Sequence, residues 1–137
     1  MEVCPPRDLL EAAAGVAENA YAPYSGFRVA SAVRAGSGKI YTGVNVENSS
    51  YGLTVCAERV AIFSAVASGE RLIREVLVYA LDSEDPVFPC GACLQVISEF
   101  SPNGDAIVYA YSPLSGRCEK AMLHELLPRR FRLGHRL

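Results

Sequence analysis

From residue 7 to residue 20 the apolar positions Leu9, Leu10, Ala13, Ala14 and Ala17 recur at three and four, the spacing of one helix face, and predict an amphipathic first helix. Ala22-Pro23-Tyr24-Ser25-Gly26 breaks that spacing. Residues 29–35 form a run of small and apolar side chains, as in a buried strand. Gly36-Ser37-Gly38 makes a turn, and 39–46, with Ile40, Thr42, Val44 and Val46 on one side, completes a hairpin. Residues 48–53 lead into a helix over 56–68 that is apolar almost all round, so burial is expected on every side, and Gly69 stops it. Val76-Leu77-Val78-Tyr79-Ala80-Leu81, within 71–81, fits a central strand covered on both faces. After a polar, proline-bearing loop (82–88) come a helix over 90–100, a strand over 105–111, a short strand over 117–120 and a helix over 121–127. A hairpin followed by alternating helices and strands predicts an α/β fold, a three-layer α-β-α sandwich around a mixed sheet of about five strands.

Composition narrows the class. At 137 residues, half of them hydrophobic, the chain suits one domain over 1–137. A net charge of −2 argues against a broad nucleic-acid footprint, since phosphate binding needs a basic surface. Only the tail is basic, and Arg129, Arg130, Arg132, His135 and Arg136 are expected to be a solvated terminus. No apolar run approaches the roughly 20 residues that span a bilayer, so no membrane is expected as a partner. Met1-Glu2-Val3-Cys4-Pro5-Pro6 has no export signal, and the expected compartment is the cytoplasm. Five cysteines in such a chain point to metal or reactivity before disulfides. Cys4 and Cys118 are expected to be ordinary structural or surface thiols, and His124 a structural, partly exposed histidine.

The chemistry concentrates in Thr54-Val55-Cys56-Ala57-Glu58-Arg59 and Phe88-Pro89-Cys90-Gly91-Ala92-Cys93. Cys90 and Cys93 fall in one helical turn behind a proline, and Cys56 opens another helix; helix starts favour thiolates through their exposed N–H groups. If the two starts face each other, three sulfurs meet at one metal and leave a fourth position open, the count of a catalytic zinc site. Glu58, two residues past Cys56, can reach a water there without being a ligand. Arg59 is placed to offset the thiolate charge. A closed structural zinc site and a redox C-x-x-C remain as readings, but both leave Glu58 unexplained.

C-A-E-R followed by P-C-G-A-C resembles the small homotetrameric, zinc-dependent cytidine deaminases of nucleoside salvage, with Cys where other zinc nucleobase deaminases have His. The resemblance runs from the first helix to Phe131. It implies zinc as cofactor, Cys56, Cys90 and Cys93 as its ligands, and Glu58 as base and then acid while an activated water displaces ammonia from the ring. Arg59 would donate hydrogen bonds to the sulfurs. Asn45 and Glu47, two apart in Asn45-Val46-Glu47-Asn48 and so on one side of an extended chain, would bind a sugar hydroxyl, and the carboxylate would favour a nucleoside over a nucleotide. Phe27 corresponds to the aromatic against the pyrimidine, and the Ala57 N–H to the donor for its 2-carbonyl. Ser49, Tyr51 and Phe131 look like residues that a neighbouring subunit lends to the pocket, so a homotetramer is implied. The chain departs from the family's C-R-Q at Cys93-Leu94-Gln95, where a charge is missing.

Overall fold

The computed structural model describes residues 3–133. Helix α1 (Arg7–Val16) leads through a tighter turn at Ala17–Asn19 to the hairpin β1 (Val29–Ala35) and β2 (Ile40–Val44). Then follow α2 (Ala57–Ala67), β3 (Ile73–Ala80), α3 (Gly91–Glu99), β4 (Ile107–Tyr111), β5 (Cys118–Met122) and a single turn, α4 (Leu123–Leu126). The five strands form one mixed sheet in the order β2-β1-β3-β4-β5, with β3 and β4 parallel and the other pairs antiparallel.

The pleat divides the apolar side chains between two helical layers. Leu9 and Ala13 of α1 pack on Ala30, Ala32, Leu77, Tyr79 and Tyr109. On the other face Ala61, Ile62 and Ala65 of α2, with Leu94 and Ile97 of α3, cover Val33, Val76 and Val108. Alternate residues of β3 thus serve opposite cores, which is why its sequence is an unbroken apolar run. Fully buried side chains such as Leu9, Ile62 and Ile97 each stabilise the fold by about 2 kcal/mol. The three-layer expectation therefore holds.

Gly43 sets how closely α2 approaches. A Cβ there would lie 2.5 Å from the Ala61 nitrogen and 2.7 Å from the Ala57 carbonyl oxygen, so the helix rests directly on the β2 backbone. α2 is less enclosed than its composition predicts, since Phe63 stays half exposed.

Cys4 and Cys118, expected to be ordinary thiols, are joined in a disulfide with Cα atoms 5.8 Å apart. Both pack against the core that α1 forms with the sheet, and this layer contact meets across 114 positions of sequence. His135 and Arg136 lie outside the described residues. Among the described residues no helix is long and apolar enough to cross a membrane.

Candidate active site

Cys56 and Cys90 are not inside their helices but cap them: both have extended backbone (φ −73°, ψ 155° and φ −70°, ψ 171°), and α2 and α3 start at the next residue. Cys93 lies in the first turn of α3 and is fully buried. Cys56 Sγ is 4.0 Å from Cys90 Sγ, Cys90 Sγ is 3.6 Å from Cys93 Sγ, and all three sulfurs fall within 4.8 Å of one another. Tetrahedral zinc at about 2.3 Å from each sulfur needs sulfurs roughly 3.8 Å apart, so this donor set fits the ion in spacing and in softness.

Sulfurs this close cannot all be thiolates without a cation between them. Cys56 takes the negative charge, its thiol held down at about 5 by the hydrogen bond from Cys93 and then by Arg59. The same contact and burial push Cys93 far up. Arg59 Nη2 reaches Cys56 Sγ at 3.7 Å, while its Nε is buried without a protein partner. Leu94 is buried in the core beside Ile97, so the guanidinium that reaches a sulfur comes from α2. Glu58, only 4% exposed, has its carboxyl pushed up to about 7, chiefly by burial and further by the negative Cys56. A carboxyl titrating near neutrality both accepts and returns a proton readily.

A cavity of about 370 Å³ runs from Cys56, Glu58 and Cys90 outward to Phe27, Asn45 and Glu47, with Ala57, Val29, Val78, Val87 and Phe88 as its mainly apolar walls. The strand pairing of β2 gives way here to single bridges from Val46 to Tyr21 and Val55, which keep 45–47 extended and Asn45 and Glu47 on one side. Asn45 Oδ1 accepts the Val29 N–H at 3.0 Å and its Nδ2 donates to the Phe27 carbonyl at 2.9 Å, leaving one amide hydrogen for a ligand. Glu47 accepts the Ser25 hydroxyl and the N–H groups of Ser25 (3.1 Å) and Tyr24 (2.9 Å); the hydroxyl first, and then the two N–H groups, hold its carboxyl below the usual range and so ionised.

Of the residues singled out from sequence, the structure brings Cys56, Cys90, Glu58, Ala57, Phe27, Asn45 and Glu47 to this cavity, and Cys93 joins the other two cysteines from beneath its wall. Tyr51 lines an adjoining hollow with Tyr24, Ser25, Glu47 and Thr54 and meets Tyr24 edge to face at 6.0 Å. Ser49 and Phe131 are exposed and lie outside the walls of both. Sequence reasoning missed Ser25, which fixes Glu47. It also missed Asp82, which takes three hydrogen bonds from Arg28 and so binds the segment that carries Phe27 into β1 to the loop before Phe88.

Residues 6–110 match a family described as the cytidine and deoxycytidylate deaminase zinc-binding region. The chain belongs to the cytidine deaminase family. A cytidine deaminase from Sporosarcina psychrophila is 50% identical over 114 residues, covering 83% of this chain and 82% of that protein. One from Halalkalibacterium halodurans is 44% identical over 123 residues, covering 90% and 91%. The crystal structure of cytidine deaminase from Burkholderia pseudomallei superposes with a TM-score of 0.84 at 41% identity, covering 91% of this chain and 98% of that one. The layered fold is therefore that of a deaminase enzyme, and the three converging cysteines fit a zinc-binding region.

Proposed function

We propose that the chain is a single cytidine deaminase-like domain over 1–137 that converts cytidine and deoxycytidine, with water, to uridine and deoxyuridine plus ammonia. It would work in the cytoplasm, in pyrimidine salvage, as a zinc-dependent homotetramer. The observation that carries this reading is the buried Glu58 beside three converging cysteines, at the inner end of a cavity whose outer end holds Asn45 and an ionised Glu47.

Cys56, Cys90 and Cys93 would hold the zinc, which when bound supplies the Lewis acidity that makes water nucleophilic at neutral pH. Glu58 takes one proton of that water as its oxygen bonds to the ring carbon, and passes this proton to the ring nitrogen. It then takes the remaining hydroxyl proton and gives it to the amine as the C–N bond breaks and ammonia leaves, one carboxyl acting as base and then acid. Arg59 offsets the surplus negative charge of three thiolates. Phe27 packs on the pyrimidine, and the Ala57 N–H, which as the first of a helix has no acceptor within it, meets the 2-carbonyl. The free amide hydrogen of Asn45 and the Glu47 carboxylate hold a sugar hydroxyl, and the charge of Glu47 repels a phosphate on the sugar. The large apolar side chains left in solvent, Tyr51 at 75%, Leu53 at 64%, Phe63 at 50% and Phe131 at 67% exposed, favour association, with Ser49, Tyr51 and Phe131 reaching a neighbour's pocket.

The proposal is tested by comparing cytidine, deoxycytidine, cytosine and cytidine monophosphate as substrates of the zinc-loaded protein. Both nucleosides should be deaminated, with cytosine and the monophosphate slower by on the order of a hundredfold. Equal turnover of the monophosphate would contradict the role given to Glu47.

A further inference from the structure

Phe131 is a large aromatic that burial does not hold, since 67% of it is exposed, yet its carbonyl and the side chain of the residue before it are tied down. Gln95 Nε2 donates to the Phe131 carbonyl at 3.1 Å. The Arg130 guanidinium donates through Nη1 to the Ser98 hydroxyl (3.1 Å), the Ser98 carbonyl (3.5 Å) and the Ser101 carbonyl (2.6 Å), and through Nη2 to the Pro102 carbonyl. These acceptors belong to the last turn of α3 and the chain just beyond it, where carbonyls lack helical partners and a cation is favoured. Ser98 and Ser101 are themselves buried. Gly104 leaves the room: it has φ +67°, and a Cβ there would come within 3.4 Å of Arg130 Cζ. One helix therefore carries the metal-facing cysteines at its start, Gln95 in its middle and the Arg130 acceptors at its end.

We infer that Arg130, assisted by Gln95, is a positioning residue that fixes the C-terminal segment on α3 so that Phe131 projects at a set place and angle. The inference rests on the reading that Phe131 completes a neighbouring subunit's nucleoside pocket. Arg130 touches neither substrate nor metal and acts through Phe131. The planar fork suits several carbonyls in one plane, and a lysine ammonium in its place cannot serve them together.

The test is a set of variants of the full-length zinc-loaded protein: Arg130→Ala, Arg130→Lys, Phe131→Ala and the Ala/Ala double variant. KM and kcat for cytidine are measured together with the rate of chymotrypsin cleavage after Phe131. Arg130→Ala should raise KM on the order of tenfold with kcat nearly unchanged, and should speed cleavage by a similar factor. Arg130→Lys should recover only part of both. The double variant should be no worse in KM than Phe131→Ala alone, because two residues acting through one contact are not additive. Multiplying KM effects in the double variant, or unchanged cleavage in Arg130→Ala, would overturn the positioning role while leaving the shared pocket standing. A wild-type KM in Phe131→Ala would remove the shared-pocket reading, and the role of Arg130 with it.

Discussion

Glu58→Gln in the metal-free protein should make the fold more stable, and more so as pH rises. Burial moves the carboxyl from an ordinary 4.5 to about 7, a difference of about 3 kcal/mol in favour of the protonated form. The folded chain keeps its proton up to about pH 7, while the unfolded chain releases it near 4.5. The stability tied to this group is therefore fully present below 4.5 and is lost as pH rises through 7. Glutamine has the shape of the protonated acid and no such loss. The variant should exceed the wild type by about 1 kcal/mol at about pH 5.5 and by about 3 kcal/mol at about pH 8.5. Urea unfolding followed by circular dichroism reads this directly, because the chain has no tryptophan to report by fluorescence. The gap at the higher pH corresponds to a midpoint about 1–3 M higher in urea. A gap that stays constant with pH, or a variant less stable at every pH, would refute the claim that the fold buries an ionisable Glu58 at its own cost.

Two further perturbations follow from the packing. Alkylation of the denatured, metal-stripped but unreduced protein should count three free cysteines out of five, and Cys4→Ala with Cys118→Ala should cost about 5 kcal/mol, the loop-closure value for a separation near 114 residues; five reactive thiols would contradict the bridge. Gly43→Ala puts a Cβ 2.5 Å from the Ala61 nitrogen, so α2 must lift off β2, lowering stability by about 2 kcal/mol or more and reducing activity with it, since Cys56 and Glu58 ride on that helix start; a melting curve and kcat/KM unchanged from wild type would show that the contact yields freely.

The parts legible in sequence are those governed by local spacing. Cys90 and Cys93 share one helical turn whatever surrounds them, and the unbroken run from Val76 marks a strand flanked on both faces. Asn45 and Glu47 lie on one side because the chain stays extended past the last paired residue of β2, which single bridges rather than a ladder secure. What sequence left hidden depends on layers meeting. The bridge from Cys4 to Cys118 depends on α1 lying across the sheet, and no spacing reports that. The anchoring of Glu47 by Ser25 joins two loops, and the grip of Arg130 on α3 turns part of an apparently solvated basic tail into a fixed segment. The open side of α2 at Phe63 escaped for a related reason: an apolar helix surface reads the same in sequence whether or not the rest of the chain covers it.

The central claim is tested most directly by following the loss of ultraviolet absorbance as cytidine becomes uridine. It would be run on the wild type with one zinc per chain, on the same protein after chelation, and on zinc-loaded Glu58→Gln. The account predicts conversion by the first, and by the other two a rate lower by at least on the order of a hundredfold, with zinc returning activity to the chelated wild type. Full activity in zinc-loaded Glu58→Gln, or no conversion by a folded wild type with its zinc bound, would contradict it.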